Sequence, residues 1–213
     1  MDQLLSYAAV TFLGLFPITN PIGVIPTFYS LTFGNTAGDR GRQSRQVAIN
    51  VIVVLAVFLV AGQLILQFFG LSLGALQIAG GVLLAQTAWA MMTAAPSPLQ
   101  SDEELSEKRD ITLIPMTVPI ISGPGAIGMV IRLIAQDPQP ANYAGSLIGI
   151  VGIGAIVYIC LALGEPVVKM LGRSGINTFT KVLGFFILAI AIQLMGDGAF
   201  ALLREFNLAA IAS

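Results

Sequence analysis

Histidine is absent from all 213 residues. Its absence removes the commonest metal ligand and the side chain that ordinarily titrates near neutral pH, and with them any Ser–His–Asp catalytic set. The single cysteine, Cys160, can form no internal disulfide, and its place inside an apolar run reads as a buried, inert thiol. Charge is scarce too. Asp, Glu, Lys and Arg make up 10% of the chain, against roughly a quarter in soluble domains. A net charge of −1 leaves no electrostatic footprint for nucleic acid. Neither a Walker-type phosphate loop nor metal-ligand spacing occurs. No basic residue precedes the first apolar stretch, so no cleaved signal peptide is expected.

What is present is apolar. Hydrophobic residues make up 56% of the sequence and the mean hydropathy is +0.88. Several apolar runs exceed about 18 residues, long enough to span a bilayer. The expected fold is all-α, a polytopic membrane protein of six transmembrane segments. They cover about Leu4–Phe33, Gln46–Phe69, Ala75–Thr93, Thr112–Ile134, Tyr143–Leu163 and Asn177–Met195. Turns are expected at Gly70–Gly74, Asp137–Pro140 and Gly164–Gly175. A polar loop with Pro96, Pro98 and the acidic run Asp102, Glu103, Glu104 fills the middle.

The first and fourth segments share a proline pattern. Pro17-Ile18-Thr19-Asn20-Pro21-Ile22 is followed by Pro26, and Pro115-Met116-Thr117-Val118-Pro119-Ile120 by Pro124. At one constant offset Pro17 falls on Pro115, Thr19 on Thr117, Pro21 on Pro119 and Pro26 on Pro124. Proline lacks a backbone donor and clashes with the preceding turn, so no helix passes through undisturbed. Matched interruptions in two halves of an apolar chain point to a repeat-built transporter with its site at the breaks. Residues 1–93 form a first three-helix repeat, 94–110 a cytoplasmic linker, and 111–213 a second repeat. Three crossings per repeat is odd, so the second repeat is expected to be inverted.

Arg40, Arg42, Arg45, Lys108, Arg109, Lys169 and Arg173 follow segments one, three and five, whereas only Arg132 and Arg204 lie near the other face. The excess of basic residues places those three loops in the cytoplasm and both termini outside a prokaryotic plasma membrane. Glu165, Lys181 and Asp197 fall at the ends of apolar runs and are read as interfacial.

Inside a helix, proline frees the carbonyl four residues earlier. Pro17 would free Leu13, Pro26 would free Ile22, and Pro124 would free Ile120. Such carbonyls in hydrocarbon need a partner. Beyond each break a half-helix opens with unpaired amides and partial positive charge. Gly23, Gly123 and Gly125 would let a ligand approach those amides. A zwitterion fits both ends, its carboxylate on the amides and its ammonium on carbonyls and the Asn20 side-chain oxygen. The candidate substrate-binding residues are Thr19, Asn20, Pro21, Gly23, Thr117, Pro119, Ser122, Gly123 and Gly125, with no catalytic or metal-binding residue and no cofactor. The plainer role for these prolines is to kink helices for packing, and for Asn20 an interhelical hydrogen bond.

Asn20-Pro21-Ile22-Gly23-Val24-Ile25-Pro26-Thr27-Phe28 and Pro119-Ile120-Ile121-Ser122-Gly123-Pro124-Gly125-Ala126 resemble the two signature segments of the MarC family. The resemblance extends over nearly the whole chain. It implies a bacterial or archaeal inner-membrane protein and uptake or exchange of small neutral amino acids such as glycine, alanine and serine.

The expected function is therefore secondary transport by a non-enzyme. Its partners are a small neutral amino acid, membrane lipid and a coupling ion, either Na+ or H+, with uncoupled exchange and a homo-oligomer left open. A passive channel for a small polar solute and a non-transporting membrane scaffold are the alternatives. Trans-stimulation separates a carrier from a channel, and direct amino-acid binding separates both from a scaffold.

Overall fold

The computed structural model describes residues 2–93 and 112–212. The linker expected over 94–110 lies outside these. Every described element is helical: α1 (Asp2–Thr19), α2 (Ile25–Leu31), α3 (Ala37–Phe68), α4 (Leu73–Thr93), a segment of wide π-type turns (Thr112–Ile121), α5 (Pro124–Gln136), α6 (Pro140–Ala162) and α7 (Gly164–Ala212).

Four stretches are individually long and apolar enough to cross a membrane: Ala37–Phe68, Leu73–Thr93, Pro140–Ala162 and Ser174–Glu205. The first and fourth expected segments are each divided into shorter pieces, α1 with α2 and the wide-turn segment with α5. Helix α3 begins at Ala37 rather than near Gln46, because Thr36 caps it by accepting the Asp39 amide at 3.1 Å. Its 32 residues span about 48 Å at 1.5 Å each, beyond the ~30 Å of a hydrocarbon core. That leaves room outside the apolar layer for the turns carrying Arg40, Arg42 and Arg45. The loop expected over Gly164–Gly175 is instead helical, interrupted at Gly172, whose φ of 64° only glycine adopts readily.

Along α3, Val47, Val51, Leu55 and Leu59 are buried while Val53, Val57, Val60 and Leu64 are exposed. Helix α7 likewise turns Phe185, Phe186, Ile192 and Phe200 outward. An apolar belt of this extent is unfavourable in water and suits lipid.

In lipid, helices gain little from apolar burial against one another, so close backbone approach takes over. Added Cβ atoms at Gly145 and Gly149 of α6 would stand 2.5 Å and 2.7 Å from the Leu4 and Ala8 carbonyl oxygens of α1. One at Gly81 of α4 would stand 2.8 Å from the Ala191 carbonyl of α7. Polar contacts join the same helices, and Thr11 Oγ1 donates to Ser146 Oγ at 3.1 Å between α1 and α6. The pairings follow a pattern. Helix α4 packs along α7 and α3 along α6, while α1 lies on α6 much as the wide-turn segment and α5 lie on α3.

Candidate functional site

The first break is built by Asn20. It is the one non-glycine residue with positive φ among the described residues, at 42°, and it ends α1 in the left-handed conformation that asparagine tolerates. Its amide still donates to the Phe16 carbonyl at 3.1 Å, and its carbonyl accepts from Val24 N–H at 3.2 Å. Its side-chain Oδ1 accepts the Gly23 amide at 3.1 Å and so closes the turn on itself. An added Cβ on Gly23 would collide with the Asn20 side chain. Gly23 thus owes its missing side chain to Asn20, and one lone-pair direction expected to face a ligand is already occupied. Thr19 is fully buried, its hydroxyl donating to the Leu15 carbonyl at 3.0 Å, and Pro21 is buried beside it.

Pro26 stands in the first turn of α2, where a missing N–H costs nothing. The Ile22 carbonyl, expected to be free, accepts Ile25 N–H at 3.2 Å. Pro124 likewise stands in the first turn of α5, where a missing N–H costs nothing. Pro17 lies inside the last turn of α1, and Pro115 and Pro119 lie within the wide-turn segment.

The second break follows a different local rule. Ile114 and Val118 are extended, at φ −125°, ψ 125° and φ −123°, ψ 123°. Each immediately precedes a proline, Pro115 or Pro119, whose Cδ excludes the helical region for its neighbour. Two such residues widen the turns between them. The fully buried Thr117 donates its hydroxyl to the Thr112 carbonyl at 2.6 Å, and the Ser122 amide reaches the Thr117 carbonyl at 2.8 Å.

Ser122 is fully buried, and its hydroxyl has no hydrogen-bond partner. It immediately precedes Gly123, the N-cap of α5, which offers no side chain to the first amides of that helix. Those amides lack intrahelical acceptors by geometry and carry the positive end of the helix dipole. An unspent buried hydroxyl and uncapped amides are therefore adjacent. Gly125 belongs to the same turn but serves packing, since its Cβ position is filled by the Leu84 side chain of α4.

Both breaks border one continuous buried cluster. Ile18 and Val24 flank the first break, Met116 and Ile121 the second, and all four lie in the cluster with Leu15, Phe28 and Ala126. No group of His, Cys, Asp and Glu suited to a metal ion occurs among the described residues.

The sequence reading missed an ion pair. Arg132 of α5 binds Asp197 of α7, with side chains 25% and 29% exposed, so the two are neither buried nor freely solvated. Gln193 Nε2 donates to the other carboxylate oxygen at 3.0 Å. Asp197, expected at the interface, is thus held by two partners. The Gln193–Asp197 spacing of four was visible as a helix-face neighbour, but nothing in the sequence joined either residue to Arg132.

The sequence pattern described as MarC family integral membrane protein matches residues 5–203. A UPF0056 membrane protein of Pyrococcus abyssi is 36% identical over 198 residues, covering 93% of this chain and 96% of that protein. The UPF0056 membrane protein YvbG of Bacillus subtilis is 35% identical, covering 92% and 95%. YhcE of Escherichia coli, another UPF0056 membrane protein, is 30% identical, covering 88% and 89%. No solved structure matches the chain. Similarity of this extent, over a helical bundle with an apolar outer belt, makes the chain a member of the MarC family of integral membrane proteins.

Proposed function

We propose that this protein is a secondary transporter for small neutral amino acids, held where the two interrupted segments meet the buried cluster. The observation that carries the reading is Ser122, a fully buried hydroxyl without a partner beside the uncapped N-terminus of α5. Burying an unsatisfied hydroxyl costs about 1–3 kcal/mol, a cost that a bound carboxylate or water would offset. A neutral zwitterion suits the site because it brings a carboxylate for those amides without net charge. Glycine, alanine and serine bring the least side-chain volume into surroundings packed by the buried Met116 and Ile121.

The transport cycle we propose rests on six spans arranged as two inverted repeats, residues 1–93 and 111–213. The reciprocal pairings of α4 with α7 and α3 with α6 support that arrangement. Arg40, Arg42 and Arg45 at the start of α3 support a cytoplasmic position for that end, with both termini outside the prokaryotic plasma membrane. Coupling to sodium, to protons or to neither remains within the same reading, and no enzymatic step is included.

Uptake of labelled glycine or alanine into proteoliposomes, with proton and sodium gradients imposed separately, tests the proposal. Saturable uptake with trans-stimulation is the expected result. Flux without saturation or trans-stimulation would make the protein a channel, and absence of both flux and amino-acid binding would leave a scaffold.

A further inference from the structure

Arg132 and Asp197 form the one ion pair among the described residues, and it lies at a mechanically informative place. Helix α5 is a half-helix of 13 residues. Its N-terminus carries the Ser122–Gly123 break, and Arg132 lies about two turns further on at 3.6 residues per turn. Asp197 adjoins Gly198, where α7 is fastened to Gly74 of α4 by backbone contact. The ion pair therefore ties this half-helix to the helix pair whose backbones meet at Gly74 and Gly198. Ile131 packs against Gly62, near the end of α3 opposite Arg40, Arg42 and Arg45, so the tie closes the other end of the bundle.

Two further observations fit a contact that opens. Arg132 Nε is buried without a partner, and so is Oε1 of Gln77, which lies against Gly198. An ion pair in which one buried guanidinium donor is left unsatisfied is held by less than its full capacity. Gly128, on α5 between the break and Arg132, is buried, yet a Cβ there would meet nothing within 4 Å. Space for movement thus lies beside the half-helix. The first repeat has no counterpart. Helix α2 stops at Leu31, and the proline register places Gly34, with φ 85°, opposite Arg132.

We propose that Arg132 and Asp197 form a latch that keeps the outer end of the bundle closed over the second break, and that its release lets α5 swing away and expose Ser122 to the outside. The proposal rests on the transporter reading for its purpose, but its test does not require transport.

A reporter cysteine at Ser122, in a chain carrying Cys160→Ala, is labelled in spheroplasts with a membrane-impermeant maleimide. Ser122 is fully buried in the closed arrangement, so labelling reads opening. Asp197→Asn and Arg132→Gln are each expected to raise the labelling rate about fivefold or more, as a shift of a two-state equilibrium. The exchanged pair Arg132→Asp with Asp197→Arg is expected to return it near the parent rate. Parent-rate labelling in both single variants, or faster labelling only from the cytoplasmic side of inverted vesicles, would overturn the latch. Single variants that fail to yield monodisperse protein while the exchanged pair does would make the contact structural and overturn it equally. Faster labelling of the reporter variants, with no uptake of glycine or alanine by the parent protein that keeps Ser122, would keep the latch and remove the transporter reading.

Discussion

A methyl group on Gly74 would stand 2.8 Å from the carbonyl oxygen of Gly198, and one on Gly198 would stand 2.7 Å from the carbonyl oxygen of Gly74. The two helices α4 and α7 thus meet backbone to backbone, and each glycine excludes a side chain on behalf of the other. Neither obstacle can rotate away, because both are main-chain atoms. Gly81 against Ala191, and Gly184 against the Ala88 carbonyl at 3.2 Å, continue the same seam.

Substituting Gly74→Val or Gly198→Val should therefore force the helices apart. Overpacking of this kind costs typically about 1–3 kcal/mol. A fall in the thermal midpoint in detergent, read by tryptophan fluorescence of Trp89, is the expected result. Gly41→Ala is the control, since a Cβ at Gly41 of α3 meets nothing within 4 Å. There the gain in helix propensity, about 0.5–1 kcal/mol, should leave the protein equally stable or slightly more so.

Ser122→Ala separates stability from function. Removing a buried hydroxyl that has no partner relieves an unsatisfied group. The variant should unfold at the same temperature as the parent or higher, while its uptake of glycine falls about tenfold, the equivalent of one lost hydrogen bond of ~1.4 kcal/mol. Destabilisation with normal uptake would place Ser122 among ordinary packing residues.

At the first break the conformation matters more than the side-chain oxygen. Asn20→Gly keeps a residue that adopts φ near 42° and loses only the bond to the Gly23 amide. Asn20→Ala loses the bond and adds roughly 1 kcal/mol or more of left-handed backbone strain. Thermal unfolding should rank parent above Asn20→Gly above Asn20→Ala. Gly23→Ala should resemble a loss of Asn20, because its methyl displaces that side chain.

The Thr11–Ser146 contact tests the joint between α1 and α6. A double-mutant cycle with Thr11→Val and Ser146→Ala should give a coupling of about 0.6 kcal/mol, the average for interhelical hydrogen bonds in membranes. Additive single effects would mean that the 3.1 Å bond contributes nothing net.

Orientation is checked by labelling. A cysteine at the exposed Gly38, beside Arg40 and Arg42, should react only from the cytoplasmic side, and one at the exposed Gln139 only from outside. The reverse pattern would invert the topology drawn from the basic residues.

The second break shows how far local rules reach. Ile114 and Val118 are extended because each precedes a proline, and that restriction acts between chain neighbours, so it was legible in the sequence. The positions of the interruptions, the helical class and the membrane setting were legible for the same reason. They follow from proline chemistry and from apolar runs longer than a bilayer is thick. The consequences of Pro26 and Pro124 were not, because a proline inside a helix and a proline at its start carry the same letter and opposite costs.

What only the tertiary structure decided are the relations between residues distant in sequence. Gly125 was read as an approach for a ligand, and it meets Leu84. Asp197 was read only as an interfacial carboxylate, and Arg132, sixty-five positions away, binds it. Ser122 became the centre of the candidate site through its missing partner, which no pattern of neighbouring letters records. Helix and break arise from backbone sterics and hydropathy summed over adjacent residues, which the sequence by itself determines. Which glycine faces a backbone, which hydroxyl is left unpaired and which charge finds its counter-charge depend on how separate helices settle against one another, and that is fixed only when the bundle packs.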